Sequence, residues 1–93
     1  MKTLNEIVKE DNANLIDVRN PEELREVSVE GATNIPLHTI PDRVQDFKEM
    51  DGPIVVFCRS GARSEQAKMF LQQNGVEDVT NGGGYADVQQ LKR

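Results

Sequence analysis

The chain has 93 residues and a formal net charge of -5, a length that allows one hydrophobic core and is too short for two. The acidic balance argues against nucleic acid as a partner, because most of this surface would repel a phosphate backbone. No segment holds the roughly 20 apolar residues of a membrane-spanning helix, and acidic residues interrupt the N-terminus where an export signal would be apolar. We therefore expect a single domain over residues 1–93. The lone cysteine fits a cytoplasmic location. From the charge and the apolar content, we expect neither a nucleic acid nor a membrane as a partner.

The first part of the chain predicts two short helices separated by a strand. Thr3 and Glu6 have the spacing of a capping box, which predicts a helix that begins directly after Thr3. Residues 15–18 are apolar enough for a brief strand. Asn20 is then a candidate N-cap, and Pro21 is suited to the first position of a second helix.

Prolines mark the next two segments. Residues 32–37 predict a short extended piece, and Pro36 favours the edge of a sheet because proline cannot donate a ladder hydrogen bond. On both sides of Pro41, apolar residues recur at spacings of four and three, and the pattern ends before Asp51. They predict an amphipathic helix that buries Ile40, Val44 and Phe47.

The second half predicts strand, helix, strand and helix in turn. Residues 54–57 are continuously apolar and β-branched or aromatic, which is typical of a central strand covered on both faces. We expect a helix from Ser64 to Asn74, a strand over residues 76–80, a tight turn over 81–84 and a final helix over 85–91. Alternating strands and helices indicate an α/β fold with a mostly parallel sheet, helices on both faces and sites at the carboxyl ends of the strands.

The only cysteine, Cys58, stands in the stretch VVFCRSGARS at residues 55–64. It follows the predicted central strand and precedes a helix, so backbone N–H groups of the loop and first helical turn should converge on it. Such settings lower a thiol pKa from about 8.5 to roughly 3.5–7.5, and the charges of Arg59 and Arg63 should act in the same direction. The alternative is a buried structural cysteine beside two solvated arginines. Small residues that let the backbone curl around an anion favour the functional interpretation: Ser60, Gly61 and Ala62.

The chain resembles a single-domain rhodanese, a sulfurtransferase module, in four segments that together span most of its length. The first three are specific when found together in this order, whereas the last is weak by itself. The segments are LIDVRNPEE at 15–23, GATNIP at 31–36, CRSGAR at 58–63 and NGGGY at 81–85. The resemblance implies a three-layer α/β sandwich, in agreement with the pattern of elements.

The resemblance also implies a reaction. The Cys58 thiolate would take a sulfur atom from thiosulfate or a similar small anionic donor and pass it, as a persulfide, to cyanide or a thiol, including a protein thiol. The backbone N–H groups from Arg59 to Arg63 would hold the sulfur, with no cofactor and no metal ion, and Arg59 would bind the sulfonate end of the donor. Arg63 would either pair with a carboxylate or touch the substrate. We expect Asp17 and Arg19, at the end of a neighbouring strand, to support the site: Asp17 by holding loop backbone, and Arg19 by forming an ion pair within the framework.

Other interpretations stay open at this stage. A phosphatase or arsenate reductase could use the same cradle, but those phosphatases place five residues between cysteine and arginine, whereas this chain has four. A non-catalytic binding module of the same fold is the third possibility, although such modules commonly lack the cysteine. The chain departs from the family in having no tryptophan and no second cysteine. His38 lies on a predicted loop and is expected at the surface.

Overall fold

The structure, a computed structural model that describes residues 2–92, contains a sheet of four parallel strands. The order across the sheet is β2-β1-β3-β4, so β2 and β4 form its edges. All three pairings are parallel. The strands are β1 (Asn14–Asp17), β2 (Thr33–Asn34), β3 (Ile54–Cys58) and β4 (Val79–Gly84). The expected edge position of the segment before Pro36 and the expected inner position of the Ile54 strand are both confirmed.

Four α-helices connect and cover these strands. Thr3 caps the first one through the capping box with Glu6 that the sequence predicts. The helices are α1 (Leu4–Val8), α2 (Val44–Lys48), α3 (Ala62–Gln73) and α4 (Tyr85–Leu91). Within residues 2–92, none of them has the length and apolar character needed to cross a membrane.

The side chains of β3 alternate between two hydrophobic clusters, one on each face of the sheet. Ile54, Val56 and Cys58 belong to the cluster that α3 covers with Ala67 and Leu71. Val55 and Phe57 belong to the second cluster, where Val8 of α1 and Val88 of α4 complete the packing. Every residue of β3 is buried, as expected for a parallel strand between two helical layers. The predicted α/β sandwich is therefore confirmed.

Three predicted helices differ in type or bounds. The segment that begins at Pro21 is a 3₁₀ helix, Pro21–Arg25. Ile40 lies in a second 3₁₀ helix, Leu37–Asp42, which contains Pro41, and α2 starts only at Val44. The helix predicted from Ser64 is α3, which begins two residues earlier, at Ala62, with Gly61 in its N-cap position.

The last strand is present as predicted, but its predicted bounds were wrong. Val76 precedes the strand, and the predicted tight turn Asn81–Gly84 forms the last four of its six residues. Glycine-rich sequence normally argues against a strand, but here the glycines permit close packing. A Cβ atom on Gly82 would lie 2.8 Å from Cγ1 of Val55, and one on Gly84 would lie 2.5 Å from the carbonyl oxygen of Arg59. The glycines thus let β4 pack tightly against β3 and the loop after it.

Adding a methyl group at Gly82 should test this explanation. Gly82→Ala should lower the free energy of unfolding by about 1–3 kcal/mol, the usual range for overpacking a core, because the new Cβ would overlap the side chains of Val55 and Val88. Denaturant unfolding measures this change. Gln90→Ala, at an exposed position of α4, is the control and should stay within about 0.5 kcal/mol of the parent. A Gly82→Ala protein as stable as that control would contradict the packing argument.

Candidate active site

Cys58 ends β3, and its sulfur is buried at the start of α3. The residue is 1% exposed. The Gly61 N–H group donates to Sγ at 3.0 Å, and Ser64 Oγ lies 3.5 Å from Sγ. Gly61 has a φ of 99°, a left-handed conformation that a residue with a Cβ rarely adopts. This conformation turns the chain sharply enough for three residues to join the strand to the helix.

The surroundings of Cys58 have opposing effects on its thiol. Burial raises the pKa, but the Ser64 hydroxyl and the backbone N–H groups of Ser64, Gly61 and Ser60 outweigh it and lower the pKa to about 7. The strongest lowering effects thus come from hydrogen-bond donors in and next to the loop. Of the two arginines, Arg63 interacts with the thiolate through its charge, which contributes to the raised pKa of Arg63. A group with this pKa is substantially ionised near neutral pH and can act as a nucleophile.

Asn81 on β4 is a part of the site that the sequence prediction missed. Its Oδ1 accepts hydrogen bonds from the Ser64 hydroxyl at 2.7 Å and from the Gly83 N–H group at 2.9 Å. Its Nδ2 donates to the Gly61 carbonyl oxygen at 3.1 Å and to Glu65 Oε1 at 3.0 Å. A polar residue near the carboxyl end of a strand is the one sequence signal for a site residue here. The prediction of a turn over residues 81–84 hid that signal.

Arg59 is exposed and lines an open cavity beside the loop. The cavity has a volume of about 340 Å³. Arg19 and Tyr85 line the same cavity, and carboxylates and an apolar side chain complete it: Glu22, Glu23, Glu26 and Val27. Arg59, the residue after Cys58, is thus available to a small anion in this cavity, which three glutamates also line.

Arg63 pairs with a carboxylate, which is one of the two alternatives that the sequence left open. Its two terminal nitrogens donate to the two oxygens of Glu23 at 2.7 and 2.9 Å. These hydrogen bonds, with a further one from the Asn20 N–H group, lower the pKa of Glu23 to about 2. The pair connects the first turn of α3 to the 3₁₀ helix Pro21–Arg25, which forms one wall of the cavity.

Arg19 forms the expected ion pair at the end of β1, and its partner is Asp17. Both are buried, at 3% and 1% exposure. The Asp17 carboxylate accepts from the Arg19 guanidinium at 2.7 and 3.0 Å and from the Arg19 N–H group at 3.0 Å. The guanidinium carbon also lies 4.3 Å from the centre of the Tyr85 ring, a cation–π distance. These contacts fix the side chain of Arg19, which lines the floor of the cavity with Tyr85.

His38 lies on the 3₁₀ helix Leu37–Asp42 and is exposed, as expected.

Known proteins share both the sequence pattern and the fold. A family model described as a rhodanese-like domain matches residues 1–91. A sulfurtransferase of Allochromatium vinosum is 40% identical over 67 residues, which cover 72% of this chain and 62% of that protein. Thiosulfate sulfurtransferase PspE of Escherichia coli is 38% identical over 74 residues, covering 78% of this chain and 71% of PspE.

A solved structure described as a rhodanese with anions, also from Escherichia coli, superposes with a TM-score of 0.72. It is 37% identical in sequence, and the alignment covers 81% of this chain and 89% of that one. The alignment with the Allochromatium protein, by contrast, spans less than two thirds of that relative. Because the family model matches nearly the whole length and the parallel sheet agrees with the solved structure, this chain belongs to the rhodanese-like domain family.

Proposed function

We propose that this protein is a sulfurtransferase that carries a sulfur atom on Cys58 as a persulfide. The observation that supports this most directly is the sulfur at the end of β3, buried yet surrounded by N–H and hydroxyl donors that lower its pKa to about 7. A purely structural cysteine in an apolar core would have a raised pKa. The relatives named as sulfurtransferases support the same reaction class.

The reaction proceeds in two displacements. The Cys58 thiolate attacks the outer sulfur of thiosulfate or a related donor, the sulfur–sulfur bond of the donor breaks, and its electron pair leaves with sulfite. The Cys58 persulfide anion remains. Cyanide or an acceptor thiolate then attacks the outer sulfur of the persulfide, and the Cys58 thiolate leaves with the electron pair of that bond. No proton is removed from the nucleophile during either displacement, so no general base is required.

The arginines have different roles in this proposal. Arg59 binds the anionic end of the donor, because it lines the cavity beside the cysteine loop. Arg63 stabilises the cavity wall through Glu23 and does not bind substrate. Asp17 and Arg19 support the floor of the cavity, while the backbone from Arg59 to Arg63 holds the sulfur. Residues 1–93 act as one cytoplasmic domain without a cofactor, and the acceptor is cyanide or a thiol.

The covalent intermediate is the first testable consequence. Thiosulfate should add the mass of one sulfur atom to the parent protein, and cyanide should remove it, because both steps occur at Cys58. Intact-mass measurement follows the change, and Cys58→Ser should show no addition. A Cys58→Ser protein that transfers sulfur at the parent rate would exclude Cys58 as the carrier. Hydrolysis of an aryl phosphate faster than sulfur transfer would instead support the phosphatase alternative.

Loss of the Arg59 charge should weaken donor binding. Arg59→Ala should raise the KM for thiosulfate roughly tenfold, the effect of losing about 1.4 kcal/mol of a charge-assisted contact, and should change kcat little, because that contact is equal in the ground and transition states. Steady-state kinetics at low ionic strength measure both constants. Arg43→Ala removes an exposed arginine paired with Asp46 on α2 and is the control. Equal KM values in the two variants would show that Arg59 does not bind the donor.

The reactivity of Cys58 should follow the ionisation of its thiol. The alkylation rate with iodoacetamide should rise with pH and reach half of its maximum near pH 7, since only the thiolate reacts and its pKa is lowered to about 7. Ser64→Ala should move this midpoint to higher pH, because it removes the side-chain donor that favours the thiolate. Ser28→Ala, at an exposed position, should leave the midpoint unchanged. An unmoved midpoint in Ser64→Ala would show that the hydroxyl does not stabilise the thiolate.

A further inference from the structure

The peptide group between Gly61 and Ala62 is held through its carbonyl oxygen. This oxygen accepts the first backbone hydrogen bond of α3, from the Glu65 N–H group at 3.0 Å, and another from Asn81 Nδ2 at 3.1 Å. Ser64 Oγ also lies 3.1 Å from it, but is closer to Asn81 Oδ1. In a trans peptide the C=O and N–H bonds point in opposite directions. The N–H group of Ala62 therefore points out of the start of α3, which is the end of the helix at which Cys58 lies.

This peptide group needs a restraint because Gly61 precedes it. Gly61 has no Cβ and a φ of 99°, so rotation about its ψ angle meets little steric resistance. The helical hydrogen bond from Glu65 belongs to the first turn, where helices fray most easily. Asn81 adds a side-chain donor from a different element, and β4 is held in the sheet by its pairing with β3.

The Asn81 amide is itself fixed in one orientation. A flip of the amide would direct its NH₂ group at the N–H donor of Gly83 and its oxygen at two acceptors, the Gly61 carbonyl and the Glu65 carboxylate. Like groups would then face each other at three contacts. The orientation that donates to Gly61 is therefore the favourable one.

We propose that Asn81 is a positioning residue, which holds the Ala62 N–H group toward the outer sulfur of the Cys58 persulfide by donating to the Gly61 carbonyl. This inference rests on the proposed function, because the outer sulfur exists only after transfer from a donor. Sγ itself accepts from the Gly61 N–H group, and Ser64 Oγ lies 3.5 Å from it. Asn81 accepts the Ser64 hydroxyl at 2.7 Å, so removing Asn81 frees that hydroxyl for the thiolate, whereas removing Ser64 takes a donor to the thiolate away. The thiolate and the persulfide of Cys58 should therefore respond differently to the two changes.

Asn81→Ala should separate these two states. Persulfide formation from thiosulfate should slow roughly two- to thirteenfold, because the hydrogen bond to the Gly61 carbonyl is lost and such a bond contributes about 0.5–1.5 kcal/mol, while the pH midpoint of alkylation should not rise. Ser64→Ala should instead raise this midpoint, because it removes a donor to the thiolate. Rapid-quench mass spectrometry measures the first quantity, and iodoacetamide alkylation measures the second.

Asn74→Ala is the matched control. Asn74 lies at the other end of α3, and its Nδ2 donates to the Phe70 carbonyl oxygen at 2.8 Å, so this variant also loses one amide-to-carbonyl hydrogen bond. It should form the persulfide at the parent rate. Circular dichroism shows whether each variant is folded, and if Asn81→Ala fails to fold, Asn81→Leu retains most of the side-chain volume without the donor and should slow persulfide formation in the same way.

The outcomes distinguish this inference from the proposed function. If the parent protein forms no persulfide with any sulfane donor, the proposed function fails and the inference fails with it. If the parent forms one and a folded Asn81 variant forms it equally fast, only the inference is overturned. If the alkylation midpoint rises together with the loss of rate, Asn81 holds the whole loop and not the one peptide group, which also overturns the inference.

Discussion

A negatively charged sulfur can be kept inside an apolar core only if hydrogen-bond donors replace the water that it loses. Cys58 is 1% exposed, and its neighbours on the strand are hydrophobic. The replacement donors come from the backbone of the short loop and from Ser64, which lies in the first turn of α3. Starting the helix at Ala62 brings its unpaired N–H groups and its partial positive charge close to the sulfur. The compact loop is thus a requirement of the chemistry.

The same requirement explains why the neighbouring strand is rich in glycine. The donors can face the sulfur only while the loop stays curled, and β4 packs directly against its outer side. A side chain at Gly84 would collide with the Arg59 carbonyl, so the backbone of β4 can approach only where there is no Cβ. This proximity also brings Asn81 within hydrogen-bond distance of both Gly61 and Ser64. One edge strand therefore supplies both the packing surface and a polar side chain.

Ion pairs neutralise two of the three arginines near the site, in a chain that is acidic as a whole. The net charge is -5, yet an anionic donor must approach the thiolate. Arg19 is paired with Asp17, and Arg63 is paired with Glu23, whereas Arg59 has no ion pair within the described residues. Surface charges are screened beyond a Debye length of about 10 Å, so acidic residues outside the cavity influence a bound anion less than Arg59 does. Glu22 and Glu26 line the same cavity, and an anion there must lie closer to Arg59 than to them.

The sequence by itself determined the order of strands and helices, the central position of the Ile54 strand and the candidate nucleophile, because apolar runs, caps and the cysteine loop are local patterns. The capping box at Thr3 is such a pattern, and so is the alternation that places Cys58 at a carboxyl edge. Only the tertiary structure decided that Asn81–Gly84 is a strand, that Glu23 is the partner of Arg63, and that Asn81 contacts the loop. Each of these depends on residues far apart in the chain. Local propensity could not predict them, since close backbone packing overrode the preference of glycine for turns and the ion pair needs two separate elements in place.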